Sequence, residues 1–426
     1  MLKSALVILG IILYCNTFSQ TRPVCATNEY IQQLEQQYPG YLQQLNTIDM
    51  HVDEMIKNKS ESRSSEDTIV YYIPVVFHVV YNNLTENVSD AQLLSQLDVL
   101  NEDYRRLNVD RTNTPAAFED LAADTYIQFI MAEVDPDGNP TDGITRTETT
   151  ITSWNLFTGP GEDNYAENIK FTDKNGHDIW DRNCYLNIWV GDLGASILGY
   201  AQPPGGALLK DGVVIGYKWI GTGGTSIYPY NRGRTTTHEV GHWLSLKHIW
   251  GDDGNSCVGS DLVADTPNQA GENYGCPNFP KTDACSPTAP GVMFMNYMDY
   301  TDDNCMNMFT QGQANKMRAI MVSTREEILE CASLVNIPSV NSSVPFGLSV
   351  YPNPATDAIV LRSNGLNNNT LFVDVFNIMG ERVYSETFAG NETAHLIQVN
   401  SFSVGSYLIR VTDGTVSETI QFIVTK

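Results

Sequence analysis

Positive charge is scarce in this chain: 25 Lys and Arg stand against 50 Asp and Glu in 426 residues, a formal net charge of -25. Such a balance repels phosphates, which argues against nucleic-acid binding, and it suits a soluble extracellular protein or one that binds cations. Long apolar runs are missing too. The N-terminal run Ala5 to Tyr14 is short, and nothing else approaches the roughly 20 apolar residues that a membrane-spanning helix requires. There is no internal repeat, no phosphate-cradling loop and no basic patch interleaved with aromatics, so a repeat array and the usual nucleotide sites are set aside. Histidine is rare as well, at 7 residues, which makes its distribution informative.

What is present points outside the cell. The length exceeds one typical domain, and 42% hydrophobic residues with 21 Tyr supply ample core. Lys3, the apolar run after it and Thr17-Phe18-Ser19 read as a signal peptide over residues 1–19. Cys15 follows the bulky Tyr14, which does not fit a lipoprotein signal. Residues 20–63 are polar, with a loose helical pattern through Ile31, Leu34, Tyr38, Leu42, Leu45 and Met50, too sparse for a core of their own. The run Asn58 to Asp67 reads as a flexible, protease-accessible link, so residues 20–63 are expected to be a removable segment.

Residues 64–332 then carry mixed signals. Ile69 to Tyr81 is β-branched and aromatic, a buried strand in which His78 is expected to be packed rather than a ligand. Ser89 to Leu107 reads as an amphipathic helix capped by Ser89. Further strands are expected over Ile127 to Val134, Tyr185 to Gly191 and Gly212 to Trp219, giving an α+β unit. Ile197 to Gly206 mixes strand residues with breakers: it is either an edge strand on which an extended peptide lies or a surface loop.

Three of the histidines fall in His238-Glu239-Val240-Gly241-His242-Trp243-Leu244-Ser245-Leu246-Lys247-His248. On a helix, His238 and His242 share one face and can present both imidazoles to one zinc ion, with Glu239 beside them to move a proton. His248 lies beyond that face, so the chain must turn back to add a third nitrogen, leaving the fourth tetrahedral position for water. The helix is expected to start after Tyr230-Asn231-Arg232-Gly233, with Asn231 as cap, and to run through Thr235, Thr236 and Thr237. Threonines are weak helix formers, so packing must hold it.

This stretch resembles the long zinc-binding consensus of the metzincin metalloproteases. Trp243, Leu246 and His248-Ile249-Trp250-Gly251-Asp252 resemble the pappalysin family, especially its ulilysin- and cytophagalysin-like members. Ser245 stands where that family usually has Gly, so the turn after the helix is either left-handed at some cost or made one residue differently. Asn296-Tyr297-Met298-Asp299-Tyr300-Thr301-Asp302-Asp303 resembles the family's Met-turn. The resemblance implies that Met298 is an apolar floor under the histidines and that Tyr300 helps hold the tetrahedral intermediate. It also implies that Asp303 is a pocket acid favouring Arg or Lys just after the scissile bond. Ser62-Arg63 in the link is then an expected self-cleavage site.

With Cys15 removed, Cys25, Cys184, Cys257, Cys276, Cys285, Cys305 and Cys331 remain, an odd number in an exported chain. Cys257, Cys276 and Cys285 lie between the helix and the Met-turn and Cys305 just after it, at spacings unlike paired Cys-x-x-Cys zinc ligands. The resemblance implies Cys257 with Cys285 and Cys276 with Cys305, which leaves Cys184 with Cys331 and Cys25 unpaired. By the same resemblance Cys25 is a cysteine switch, its thiolate a zinc ligand in the latent form. The acids after His248 suit a hard cation, and in the relatives this stretch binds calcium, so Asp261, Asp265 and Thr266 are carried over as calcium ligands.

Residues 333–345 read as a linker, and residues 346–426 as short strands of a small β-sandwich. Tyr351-Pro352-Asn353-Pro354-Ala355-Thr356-Asp357, Asn377-Ile378-Met379-Gly380 and Gly405-Ser406-Tyr407 resemble the sorting domain read by the type IX secretion system. A carbohydrate- or substrate-binding module is the alternative, for which no aromatic platform is evident.

The expectation is therefore an α+β metzincin-type domain, with a mixed sheet, an active-site helix and an irregular C-terminal subdomain, followed by an all-β sandwich. Its function would be that of a secreted zinc endopeptidase made as a latent zymogen. Its cofactors would be one catalytic zinc and structural calcium. Its partners would be protein or peptide substrates and the secretion machinery, and the chain would be a monomer passing through the periplasm to the outside or the cell surface. The reading from another class is a secreted adhesin or binding protein with a structural zinc site. Glu239 argues against it, since a closed structural site has no use for a base.

Overall fold

The apolar run from Ile69 lies at the middle of a mixed sheet. The structure, a computed structural model, describes residues 24–60, 69–159, 161–254, 256–331, 348–362, 370–377, 381–389, 394–413 and 417–425. The expected signal peptide, the Ser62-Arg63 link and the linker 333–345 lie outside the described residues. The chain divides into two units, Met1–Asn336 and Ile337–Lys426.

In the first unit the elements are β1 (Val24–Cys25), α1 (Thr27–Gln37), α2 (Tyr41–Ser60), β2 (Tyr71–Tyr81), α3 (Asp90–Tyr104), α4 (Ala116–Glu119), β3 (Ile127–Met131), β4 (Ile144–Glu148), β5 (Leu186–Gly191), β6 (Ile197–Ala201), β7 (Val213–Gly216), α5 (Arg234–Trp243), α6 (Gln311–Met321) and α7 (Glu326–Glu330). The sheet order is β1-β6-β7-β5-β2, with β3 and β4 in succession along the far side of β2. Every pair is parallel except β6 with β7.

The register of β2 explains its composition. Ile73, Val75, Phe77 and Val79 enter the main core with Leu93 and Leu100 of α3 and Val240 and Trp243 of α5. Val80, on the other face, joins a second core that contains Tyr30 and Leu34 of α1. A parallel strand covered on both faces reads as a continuous apolar run rather than an alternating one. His78 is fully buried between Thr145 Oγ1 (2.8 Å) and Asn187 Oδ1 (2.9 Å). Burial lowers its pKa to about 3, so it is a neutral, packed histidine.

Three outcomes sharpen or correct the reading of the sequence. The single loose helix in the N-terminal segment is a hairpin, α1 and α2, broken at Tyr38-Pro39-Gly40, where Pro39 removes a donor and Gly40 takes φ 103. The stretch Ile197 to Gly206 is strand only to Ala201, and its outer edge is covered by Val24–Cys25. Asn231 is not the cap of α5. Gly233 is, at φ 76, because the chain needs a left-handed turn to enter the helix. Asp303 supplies the missing acceptor: its Oδ2 takes the backbone N–H of Arg232 at 2.7 Å and of Arg234 at 3.4 Å.

The weak helix formers of α5 are anchored by side chains. Thr236 Oγ1 donates to Gln96 Oε1 and Thr237 Oγ1 to Asp103 Oδ2, each at 2.8 Å. The Arg234 guanidinium pairs with Asp110 at 2.8 Å and Asp103 at 3.2 Å, and the Tyr297 hydroxyl donates to Asp103 Oδ1 at 2.7 Å. Asp103 is thus shared among α3, α5 and the segment after residue 296, and burial pushes its pKa up against the pull of Arg234.

The second unit has β8 (Ser349–Tyr351), β9 (Ala358–Arg362), β10 (Thr370–Asn377), β11 (Arg382–Ala389), β12 (Ala394–Gln398), β13 (Gly405–Thr412) and β14 (Ser417–Val424). They form antiparallel sheets ordered β11-β10-β13-β14 and β12-β9-β8. Ile359, Leu361, Val373, Val375, Ile397, Ile409 and Phe422 meet in one core, as in a β-sandwich. Strand β12, with Ile397 its one β-branched residue, pairs antiparallel with β9. Among the described residues no helix is long and apolar enough to cross a membrane.

Replacing Arg234 leaves Asp103 buried without its cation and Asp110 with only Arg232, at 3.8 Å. Arg234→Ala is expected to lower the unfolding free energy by about 3–5 kcal/mol, read as a fall in the denaturant midpoint; an unchanged midpoint would show that the network does not anchor α5.

Candidate active site

Three imidazoles converge at the end of α5. His238 and His242 lie one helical turn apart, and their Nε2 atoms are 3.0 Å from each other, 3.2 and 3.1 Å respectively from Nε2 of His248. Each ring is oriented through its other nitrogen. His238 Nδ1 donates to the Tyr297 carbonyl (2.7 Å), His242 Nδ1 to the Leu246 carbonyl (2.8 Å) and His248 Nδ1 to Asp252 Oδ1 (2.8 Å). With Nδ1 protonated, all three Nε2 lone pairs point at one another. They cannot hydrogen-bond in that state, so the donor set fits a cation at their common focus. Burial lowers the pKa of His238 to about 3 and that of His242 well below its usual value, which keeps both rings in the neutral, ligating form.

The helix stops where the third ligand must turn in. Ser245 N–H donates to the His242 carbonyl (2.9 Å) and Leu246 N–H to the Gly241 carbonyl (2.9 Å), a Schellman turn with Ser245 at φ 68. Of the two ways to make this turn, the chain takes the left-handed one, at a cost of about 1 kcal/mol for a residue with a Cβ. Gly241 is required for a different reason: a Cβ there would come 2.6 Å from the Met298 sulphur, which lies fully buried against the helix. The Met298 carbonyl also accepts the Ile249 N–H (3.2 Å), so one segment holds His238 through Tyr297 and the chain just after His248 through Met298.

Glu239 faces the cleft. Its Oε2 accepts from Thr27 Oγ1 (2.8 Å) and lies 3.5 Å from Cys25 Sγ, whereas its buried Oε1 has no hydrogen-bond partner. Desolvation raises its pKa to about 7. Cys25 is buried and unpaired, and its sulphur completes a cluster with the three Nε2 atoms in which all ligand atoms lie within 4.8 Å. Among the described residues this is the one such group of His, Cys, Asp and Glu. Burial and the Glu239 carboxylate push the thiol pKa well up, so a thiolate there needs a cation against it. Tyr300 hydroxyl donates to the Cys25 carbonyl (3.1 Å), and its ring stands edge-on to His248 (4.8 Å). Asp303 lines the same cleft with Tyr230, Thr235 and Met306; it is 1% exposed, and desolvation raises its pKa to about 7.

Reading the sequence missed several of these contacts. Thr27, on the N-terminal side, bridges Glu239 and the Ala201 N–H (2.9 Å). Trp250 stacks on His248 at 4.4 Å between centroids. Asp252 orients His248, a role that its place four residues on already hinted at. Asp261 and Thr266 come together, with Thr266 Oγ1 donating to both carboxylate oxygens (2.9 and 2.8 Å). Asp265, whose charge also acts on Asp261, accepts from Thr310 Oγ1 (2.7 Å) and the Gly312 N–H (2.8 Å) at the start of α6, where the first N–H groups of a helix attract a carboxylate. Disulfides join Cys184 to Cys331, Cys257 to Cys285 and Cys276 to Cys305.

Comparison with known proteins is consistent with this geometry. The sequence pattern of the pregnancy-associated plasma protein-A peptidases matches residues 170–322, and that of secretion system C-terminal sorting domains matches residues 349–425. An extracellular metalloprotease of Arthroderma benhamiae is 31% identical over 257 residues, 60% of this chain and 80% of the relative. Mature mirolysin of Tannerella forsythia, solved in complex with a cleaved peptide, is 53% identical, with 64% of this chain and 100% of that one covered at a TM-score of 0.60. A promirolysin mutant from the same organism is 47% identical, with 74% and 98% covered at a TM-score of 0.63.

A mixed sheet over a His-Glu-x-x-His helix, in the company of secreted metalloproteases, defines a metalloendopeptidase of metzincin fold. The binding-protein alternative is thereby set aside. Within that class the chain belongs to the pappalysin family, and it ends in a sorting domain of the type IX secretion system, which makes it a secreted protein.

The hydrogen bond from Asp252 to His248 is part-buried, whereas those that orient His238 and His242 are buried. Asp252→Ala is expected to weaken metal retention about 10–100-fold in a chelator competition titration, with an unchanged circular dichroism spectrum; retention equal to the parent would remove Asp252 from the site.

Proposed function

We propose that this protein is a zinc-dependent endopeptidase, produced as a zymogen, that cleaves proteins before Arg or Lys. The observation that carries the reading is the convergence of three neutral imidazoles beside a buried, half-satisfied carboxylate. Bound at His238, His242 and His248, zinc supplies Lewis acidity, activating a water and polarising the scissile carbonyl.

The residues of the chain do the rest. Glu239 takes the proton of the attacking water and passes it to the leaving amine. A carboxylate beside the metal ligands, one oxygen of which has no hydrogen-bond partner, is placed for both directions of transfer. Tyr300 donates its hydroxyl to the oxygen of the carbonyl as charge develops there. Strand β6 offers its outer edge to an extended substrate once β1 has left. Asp303 in the adjoining cleft, ionised, attracts the basic side chain after the scissile bond. Met298 is the floor beneath the histidines.

In the zymogen, Cys25 would hold the metal together with the three histidines while Thr27 holds Glu239, so residues 20–63 would block both halves of the machinery. The existence of a promirolysin form among the similar structures supports this reading. Maturation cuts the link at Ser62-Arg63, in keeping with the basic-residue preference. Asp261 and Thr266 belong to a structural calcium site: burial raises the Asp261 carboxyl to about 7, an environment in which a cation stabilises the ionised form. The C-terminal unit delivers the chain to the secretion machinery, and the catalytic unit acts as a monomer.

Glu239→Gln is the central test. The variant is expected to bind one zinc, to leave peptide substrates intact and, when purified and incubated alone, to keep its original N-terminus while the parent acquires one at Arg63. Hydrolysis surviving in this variant would overturn the mechanism. The pH dependence tests Asp303. Its pKa is raised, so the charged form that attracts a cation prevails above about 7 and is lost below. The preference for Arg over a neutral residue after the scissile bond, measured as a ratio of kcat/KM values, should fall as the pH drops through this range. A constant ratio would place the selectivity elsewhere.

A further inference from the structure

The N-terminal hairpin touches the catalytic body at more than the metal site. Cys25 and Thr27 reach the histidines and Glu239, and the Tyr30 hydroxyl donates to Glu167. A third anchor lies on α2. Asp49, 3% exposed, has Oδ1 2.9 Å from Lys316 Nζ of α6 and Oδ2 3.0 Å from Lys247 Nζ, and its Oδ1 accepts from Ser245 Oγ at 3.4 Å. Around it Ile48, Val52 and Ile56, at helical spacing, pack on the main core.

The body side of this contact is built for an anion. Lys316 is 1% exposed, and its Nζ makes no hydrogen bond among the described residues, so its ion-pair partner is the Asp49 carboxylate. Of the body's own carboxylates, Asp261 is near enough to feel this charge but forms no ion pair with it, so a buried ammonium that loses Asp49 is left incompletely compensated, which is unfavourable. Ser245 then has a reason to occupy a left-handed position where glycine would be unstrained: glycine has no hydroxyl to offer Asp49.

We propose that Lys247, Lys316 and Ser245 form a carboxylate-binding site whose ligand is Asp49 of the hairpin, and that this site retains the hairpin on the catalytic unit independently of the metal. The proposal rests on the reading of residues 20–63 as a removable inhibitory segment and deepens it. One cut in the link leaves the hairpin bound and the cleft closed, and release requires that the Asp49 contact also be lost, by dissociation at low concentration or by a second cut within the hairpin.

The test uses the full chain with Glu239→Gln to prevent self-cleavage and Cys25→Ser to remove the thiolate. Residues 61–66 are replaced by the recognition sequence of an added specific protease. After cutting, retention of the N-terminal fragment is followed by size-exclusion chromatography and its Kd by dilution. The fragment is expected to stay bound. Asp49→Asn and Lys316→Met should each raise the Kd about tenfold or more, and together less than the product of the two, because they remove the same pair. Ser245→Gly should raise it about threefold. This last variant relieves backbone strain and so remains informative if a charge variant fails to fold when checked uncut by circular dichroism. Loss of the fragment on Cys25→Ser alone, or a Kd unchanged by both Asp49→Asn and Ser245→Gly, overturns the proposal. Since binding is read rather than hydrolysis, a wild type without peptidase activity would count against the proposed function and leave this result standing.

Discussion

Three lone pairs aimed at one point repel one another, and the catalytic unit is arranged to hold them there. Nitrogens about 3 Å apart in a buried site have no hydrogen to share once each Nδ1 carries the proton. The acceptors that fix those protons come from three places: the Tyr297 carbonyl, the Leu246 carbonyl after the Schellman turn, and Asp252 beyond the third histidine. Segments far apart in the chain are thus committed to one focus, and folding and cation binding are linked, because the cation removes the repulsion that the fold creates.

The hairpin meets this focus by extending the sheet. Strand β6 is antiparallel to β7 and would otherwise end the sheet on that side with unpaired backbone groups. Val24–Cys25 pairs with it in parallel register, and this carries the cysteine sulphur to the imidazoles and brings Thr27 between Glu239 and Ala201. Backbone pairing sets the position and side-chain chemistry uses it. The same logic holds at the start of α5, where a glycine turn cannot cap the helix and Asp303, from the far end of the Met-turn segment, accepts its N–H groups.

Much of this was legible in the sequence, for reasons that are local. The spacing of His238 and His242 is a property of any helix, the apolar run of β2 follows from burial on both faces, and Ser89 caps α3 through its own hydroxyl, accepting from Gln92 N–H. The mixed sheet and the β-sandwich followed from the strand signals and the family resemblance. What was not legible depends on partners distant in the chain. Asp103, Asp49 and Thr27 are ordinary polar residues on helices until Arg234, Lys316 and Glu239 are brought to them across more than a hundred positions. Asp265 shows the same limit from the other side: its hydrogen bonds to Thr310 and Gly312 depend on a helix start 45 positions away. Left-handed Ser245 was visible as an anomaly, but its use was not.

The bridge between Cys184, just before β5, and Cys331, just after α7, spans 147 positions and encloses α5, the Asn296–Asp303 segment and both smaller disulfides. Closing a loop of that size removes chain entropy from the unfolded state, on the order of 5 kcal/mol in the simplest polymer account. All three bridges lie upstream of Asn336, where the first unit ends. The catalyst is therefore knotted shut before the address label begins: severing the chain after Cys331 detaches the sorting unit and cuts no covalent tie within the peptidase.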